Sequence, residues 1–367
     1  MVILNPADPL AADFRAAVSR ELTAFLDGRT TALAALGPET ATLVDTARAF
    51  TDGGKRLRPA FCCWGYAAAT GSAEVPDYVI RAAASLDLLH VAALVHDDVM
   101  DGSATRRGLP AVHVQYADAH ARSGGRGSSA DFGRAAAILL GDLLLLWSEH
   151  LFAGCGAPAD RLAAAAPLAA LVREEVNAGQ FLDVTAQTRP PLDARHDPAS
   201  VDDQIRRVVE FKTARYTVIR PLQIGAALGG ASPELLDTLA RFGSPLGRGF
   251  QFRDDILGVF GDEAVTGKPA GDDLREGKLT VLVANAMAAA RESDALDLDE
   301  LLGRELSAAQ VTRARQIIAC SGALAATEHE IGVAAQQALN ALADSGLPAV
   351  AADGLTALVA LSTDRQA

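Results

Sequence analysis

The run "LDLLHVAALVHDDVMD", from Leu86 to Asp101, is an apolar helical stretch that ends in three carboxylates. No other feature restricts the possible folds of this chain as much. Burying an ionised carboxylate is costly unless it is paired or holds a metal. The helix end must therefore reach the surface or face a cation. On a helix, Asp97 and Asp101 lie one turn apart on the same face. Like charges so placed repel, and a hard divalent ion is a natural bridge. Mg²⁺ takes one or two carboxylates, with waters and substrate phosphate oxygens completing its shell. Arg106 and Arg107 follow in a turn, and guanidinium suits phosphate through paired N–H donors. Taken alone, such a cluster is more often a solvated helix end.

Composition narrows the alternatives. Half of the 367 residues are apolar, aromatics make up only 5%, and Ala and Leu dominate, which favours helices. A net charge of −13 without any basic run argues against nucleic acid as a partner. The four cysteines show no CxxC spacing, which fits a reduced, cytoplasmic setting. The N-terminus lacks the basic and apolar regions of a signal peptide. The apolar stretch Ala135–Trp147 is too short to span a bilayer, so no stable membrane insertion is expected.

Apolar residues recur at helical spacing over 11–27, 40–50, 78–100, 132–153, 160–187, 201–230, 233–258, 279–292 and 307–343. No stretch alternates as a half-buried strand does. The expectation is a single all-α domain over residues 1–367, with functional loops between the helices. "GRGSSA" from Gly125 fits a relaxed dinucleotide pattern but follows a polar segment rather than a buried strand. Gly53-Gly54-Lys55 lacks the spacing of a P-loop.

A second acidic cluster, Asp254 and Asp255, closes another amphipathic helix, with Lys268 and Lys278 in the loop beyond. Two acidic helix ends can face each other across a bundle, as metal sites in bundles do. Further basic groups, Lys55 and Arg58 in "GGKRLRP" and Lys212 in "EFKTARYT", suit a substrate that carries polyphosphate on Mg²⁺.

Together "GGKRLRP", "LVHDDVMDGSATRRGLPAVH", "GQFLDV", "FKTARYT" and "FQFRDDILGVFGD", followed by "TGKPAGDDLREGK", resemble the ordered motifs of the trans-isoprenyl diphosphate synthases, the polyprenyl synthetase family. The resemblance covers about residues 50–285. It implies an antiparallel helical bundle around a deep central cavity, in a homodimer. It also implies head-to-tail condensation of isopentenyl diphosphate with an allylic diphosphate, releasing pyrophosphate.

Carried over position by position, the resemblance implies that Asp97 and Asp101 hold two Mg²⁺ ions with Asp98 in support. Asp254 holds a third, with Asp255 nearby. Arg106, Lys212, Thr213, Gln251 and Lys268 face the allylic diphosphate. Lys55, Arg58, His90 and Arg107 hold isopentenyl diphosphate, and Lys278 helps close the site. Gln180 and Asp183 match a helix beside the allylic chain. Without the motif, His90 would read as an ordinary core histidine, and Asp142 reads as a structural carboxylate. One position departs from the pattern: Gly258 stands where the second motif usually has a third Asp, and Asp262, four residues on, is the candidate substitute.

A class I terpene cyclase shares the acidic motif but needs no isopentenyl site. A silent partner subunit would be expected to lose metal ligands, and a ferritin-like oxidase would need paired ExxH helices. "GGKRLRP" and the Arg106–Arg107 pair argue against the cyclase, and the retained carboxylates against the silent subunit; these two stay as the lesser alternatives. No paired ExxH is found. Ala92 and Ala93, about one turn before Asp97, leave room for a growing chain, with Leu86, Leu88 and Leu89 as a lower floor. Geranylgeranyl diphosphate is the expected product, ahead of farnesyl diphosphate, with longer chains also compatible.

Overall fold

A helix that is apolar on most sides has to be surrounded, and the stretch from Val79 to Val95, polar only at Arg81, Ser85, Asp87 and His90, is such a helix. The computed structural model describes residues 1–262 and 271–364, and most of them are helical. The first seven helices are α1 (Ala12–Leu33), α2 (Ala41–Thr51), α3 (Leu57–Thr70), α4 (Asp77–Asp101), α5 (Val112–Arg122), α6 (Ser129–Ala153) and α7 (Ala159–Gln187). Then come α8 (Asp193–His196) and α9 (Pro198–Val208), which continues through a π-helical segment, Val209–Ile219, into α10 (Arg220–Gly229). The remainder is α11 (Pro233–Phe260), α12 (Asp272–Glu276), α13 (Val281–Ala289), α14 (Glu292–Leu301), α15 (Ala308–Cys320), α16 (Ala323–Ala343) and α17 (Ala349–Thr363). Extended structure among the described residues is limited to two antiparallel pairs of two-residue strands, Val2–Ile3 with Glu74–Val75 and Thr105–Arg106 with Leu109–Pro110.

The all-α expectation holds, with differences at the joints. α3, α5, α8, α12, α14 and α17 were not anticipated. In α3, "LRPAFCCWGYAAAT" is buried on nearly every side, so it shows no polar face from which a period could be read. The stretch expected as one helix over 307–343 breaks at Gly322, whose φ of 85° ends the turn. α6 extends beyond the apolar run at both ends, and Ser128 caps it by accepting from the Asp131 amide. α4 and α6 are therefore both long and apolar enough to cross a bilayer by length and composition. Most of α4 is buried in the bundle, whereas α6 leaves Leu139 and Leu146 exposed.

Two apolar clusters build the interior. The larger joins α1 to α7 with α10, the first part of α11, α16 and α17. The smaller gathers α8, α9, the second part of α11, α12 to α15 and the start of α16. The π segment and the middle of α11 lie where the clusters meet, with Tyr216 and Phe250 in one and Val209 and Phe252 in the other.

Glycines allow the closest approaches. A Cβ at Gly225 on α10 would overlap the Cys62 carbonyl of α3, and one at Gly65 on α3 would overlap the Leu222 carbonyl. α3 and α10 thus pack backbone against backbone, which places the "GGKRLRP" loop at the head of α3. The π segment is held in the same way. A Cβ at Gly179 on α7 would lie 2.5 Å from the Lys212 nitrogen, and one at Gly247 on α11 would overlap Ala214.

Gly225→Ala should therefore lower the melting temperature by about 5 °C or more, as overpacking of a filled core does. Gly28→Ala, on the exposed face of α1 with no atom near its added Cβ, should leave the melting temperature unchanged or raise it. Thermal melts followed by circular dichroism test both.

Candidate active site

α4 ends at Gly102, a left-handed cap at φ 67°, and its last turns carry the acidic motif. Negative charge at a helix C-terminus opposes the helix dipole, so each carboxylate needs a cation. Asp98 is fully buried and accepts from Arg106 Nε at 2.9 Å. Asp97 accepts from Lys212 Nζ at 3.2 Å and from Gln180 Nε2 at 2.8 Å. Asp101 pairs with Lys278 Nζ at 2.8 Å. Arg106 comes from the short hairpin after α4, Lys212 from the π segment, and Lys278 from the stretch before α13.

The pKa shifts follow from these neighbours. Burial pushes Asp97 up, but Lys212, Lys278 and Arg106 outweigh it and hold the carboxyl well below its usual range. Asp101 shifts upward, because burial and the Asp97 charge exceed what Lys278 returns. On α11, burial lifts Asp255 to about 8; a hydrogen bond from Gln251 Nε2 at 2.8 Å opposes this, while Asp273 and Asp254 add to it. Lys212 and Lys278 stay charged, since the carboxylates around them overcome their burial.

These groups line one cavity of about 540 Å³, within the usual range for ligand sites. Of the residues singled out in the sequence, Lys55, Arg58, His90, Asp97, Arg106, Gln180, Asp183, Lys212, Thr213, Gln251, Asp254, Asp255 and Lys278 line it. Asp98 and Asp101 stand behind the lining, engaged with Arg106 and Lys278. Arg107 is also set back, donating to the Phe50 carbonyl at 3.1 Å. Lys268 lies outside the described residues. Asp183 takes a short 2.5 Å ion pair from Lys212, so Gln180 and Asp183 grip the same pair that Asp97 does. Asp142 is more exposed than expected and lies 3.4 Å from His96 Nε2.

The basic corner is organised around Tyr216, which sequence reasoning passed over although it quoted the surrounding motif. Arg58 stacks over the Tyr216 ring at 4.2 Å and donates to Thr217 Oγ1 at 2.9 Å. His90 Nδ1 lies 3.0 Å from the Tyr216 hydroxyl. Burial and the neighbouring arginines hold His90 well below its usual pKa, so it is neutral. Between the acidic and basic groups the cavity extends along apolar walls: Leu89, Ala92 and Ala93 of α4, Leu145 of α6 and Val176 of α7. Leu86 and Leu88, expected in the floor, are absent from this lining and fully packed in the core.

Asp272, Asp273 and Glu276 were missed as well. The sequence signal was present in "GDDLREGK", but a five-residue helix is too short to show a period. Glu276 accepts from Ser103 Oγ at 2.6 Å and pairs with Lys278 at 2.6 Å, tying the hairpin after α4 to α12. Asp273 accounts for the departure at Gly258. A Cβ at Gly258 would overlap the Asp273 carboxylate, so a carboxylate from the next element occupies the room of the missing side chain. Asp262, the candidate from spacing, is exposed and off the cavity.

Comparison with known proteins is consistent across sequence and structure. A family model described as polyprenyl synthetase matches residues 41–319. A geranylgeranyl diphosphate synthase of Methanosarcina mazei is 34% identical over 257 residues, covering 70% of this chain and 71% of that one. A geranylfarnesyl diphosphate synthase of Aeropyrum pernix is 34% identical over 304 residues, covering 82% and 86%. The crystal structure of geranylgeranyl pyrophosphate synthase from Corynebacterium glutamicum, complexed with isoprenyl diphosphate and magnesium, superposes with a TM-score of 0.90. It is 38% identical and covers 96% of this chain and 99% of its own.

Gly258→Asp should force the Asp273 carboxylate aside and add like charge beside Asp255, costing about 1–3 kcal/mol as overpacking does. The double change Gly258→Asp with Asp273→Gly should recover most of the loss in a thermal melt. Equal stability of the single variant and the wild type would show that the two positions do not compete for space.

Proposed function

The chain belongs to the polyprenyl synthetase family, and from that premise we propose how its cavity carries out trans-prenyl transfer and where the product ends. Isopentenyl diphosphate and an allylic diphosphate enter; a longer all-trans prenyl diphosphate and pyrophosphate leave. The observation that carries this reading is the pairing of two differently charged ends on one cavity. Asp97, Asp254 and Asp255 line it together with Lys212 and Lys278, and the basic groups Lys55 and Arg58 line the same cavity.

The acidic end fits Mg²⁺ by its chemistry. Among the described residues no three His, Cys, Asp or Glu side chains converge into a complete cage. Mg²⁺ needs none, since water and phosphate oxygens complete its octahedron. The upward shifts of Asp101 and Asp255 mark buried negative charge that a divalent cation would offset. Asp97 and Asp101 would hold two ions with Asp98 steadying Arg106, and Asp254 a third with Asp255 beside it. When bound, Mg²⁺ supplies positive charge against the leaving pyrophosphate.

Lys212 and Lys278 each touch a carboxylate and border the cavity, so each can pass onto a diphosphate oxygen. With Arg106 they stabilise the charge that grows as the allylic C–O bond breaks. Lys55 and Arg58 hold isopentenyl diphosphate from the cavity lining, and Arg107, expected beside them, backs their loop from behind. With the Tyr216 hydroxyl donating to Nδ1, neutral His90 keeps Nε2–H as a donor to phosphate. The isopentenyl double bond then forms the new C–C bond with the allylic cation, and the proton it loses goes to a pyrophosphate oxygen. Apolar walls keep water from the cation.

Ala92 and Ala93, small and facing the cavity, support geranylgeranyl diphosphate as the product. The exposed apolar side chains of α6 and α7, among them Phe132, Leu139, Leu146 and Phe181, support a homodimer. Free cysteines, three of them buried, support a reducing cytoplasm. We take residues 1–367 as one catalytic domain.

The test is incubation with isopentenyl diphosphate, dimethylallyl, geranyl or farnesyl diphosphate, and Mg²⁺, with chain-length analysis of the products. Geranylgeranyl diphosphate should accumulate, and a lack of isopentenyl incorporation with every primer would overturn the reading. Asp97→Ala should lower turnover by roughly three orders of magnitude or more while the protein stays folded. Near-normal turnover at saturating Mg²⁺ would remove Asp97 from the metal site. Ala92→Phe should shorten the main product by at least one isoprene unit, since a helical turn of about 5.4 Å matches roughly one unit. An unchanged product distribution would place the floor elsewhere.

A further inference from the structure

The basic loop that presents Lys55 and Arg58 is built from conformations that chains avoid. Gly53 and Gly54 have φ of 74° and 84°, and Arg56, which is not a glycine, has φ of 56°. A non-glycine residue in the left-handed region persists only where its surroundings over-determine it. Here the Arg56 side chain supplies those surroundings. It is 5% exposed and points away from the cavity. Its Nη1 pairs with the Asp87 carboxylate, and its Nη2 donates to the Thr51 carbonyl at 2.7 Å and to Ser19 Oγ at 3.1 Å. One guanidinium therefore ties the loop to α1, to the end of α2 and to α4. Arg107 adds a second tie, holding the Phe50 carbonyl while its guanidinium lies against Gly54.

Asp87 is itself 5% exposed, between the buried apolar residues Leu86, Leu88 and Leu89 of α4. A buried carboxylate there weakens the core unless its partner returns more than the desolvation costs. Asp87 also sits one turn before His90, so it registers the loop against the same helix that carries a cavity residue. Neither Asp87 nor Arg56 lines the cavity.

We propose that Asp87 is a positioning residue for the isopentenyl diphosphate corner, acting through Arg56. The buried pair holds the left-handed turn, and the turn sets Lys55 and Arg58 at the spacing a diphosphate needs. This inference rests on the assignment of that corner to isopentenyl diphosphate made above.

The experiment compares full-length wild type with Asp87→Asn, which keeps the shape and removes the charge. Each substrate is varied in turn, and isopentenyl diphosphate binding is also measured by calorimetry. The KM for isopentenyl diphosphate should rise roughly tenfold and its affinity fall to match, as expected when a charge-assisted contact is misplaced. The KM for the allylic diphosphate and kcat should stay within about twofold, because the acidic end is held by other contacts. A lowered melting temperature with both KM values unchanged, or rising in parallel, would make the pair purely structural and overturn the proposal. Should Asp87→Asn fail to fold, Ser19→Ala decides, since it removes one Arg56 contact and leaves the ion pair. It should raise the isopentenyl KM alone by about threefold, the worth of a single hydrogen bond, and no selective rise overturns the proposal. Failure of the wild type to bind isopentenyl diphosphate would sink the functional assignment instead, whatever the variants do.

Discussion

Three carboxylates at the C-terminal end of a buried helix are the charge problem that the rest of this bundle answers. The dipole of α4 makes that end the worst place for negative charge. Each carboxylate is matched by one cation, and each cation comes from a different part of the chain: Arg106 for Asp98, Lys212 for Asp97, Lys278 for Asp101. The hairpin after α4, the π segment and the approach to α13 are therefore drawn to a single point. Removing a partner from a buried pair is costly, so this convergence is enforced rather than incidental.

Glycine makes the convergence sterically possible. Lys212 reaches Asp97 because the π segment lies against α7 at Gly179 and against α11 at Gly247, where any side chain would force it away. π turns are uncommon and concentrate at functional sites. Here the wider winding carries Lys212, Thr213 and Tyr216 toward one cavity. Gly258 belongs to the same logic, since its missing side chain admits the Asp273 carboxylate.

Much of this was legible in the sequence, for definite reasons. Amphipathic helices such as α2, α9 and α11 betray themselves by period, and the acidic and basic motifs stand out because charge in an apolar context is expensive. α3 was hidden because it is buried all round, and the break at Gly322 because glycine inside a helical pattern is often tolerated. Tyr216, Asp87 and Arg56 were hidden for another reason. Their roles come from contacts across the bundle, with His90, Arg58, Ser19 and Thr51, and no local spacing encodes such contacts. Asp262 looked like a substitute for the missing third Asp because it is near in sequence, yet Asp273 on the next helix is near in space.

α4 bears Asp87, His90, Ala92, Ala93, Asp97 and Asp101 in succession, so on the proposed reading one helix carries the anchor of the basic loop, the wall of the apolar space and the acidic end. Each round of elongation must return the product to the same starting mark while its tail lengthens. A measuring device whose zero and whose graduations are cut on one rigid bar keeps its scale when neighbouring helices shift. The same arrangement separates two properties under selection. On the proposed reading, side chains at the graduations can change the length that is read without disturbing the mark where chemistry occurs, so one scaffold could yield a series of enzymes that differ in product and share a reaction.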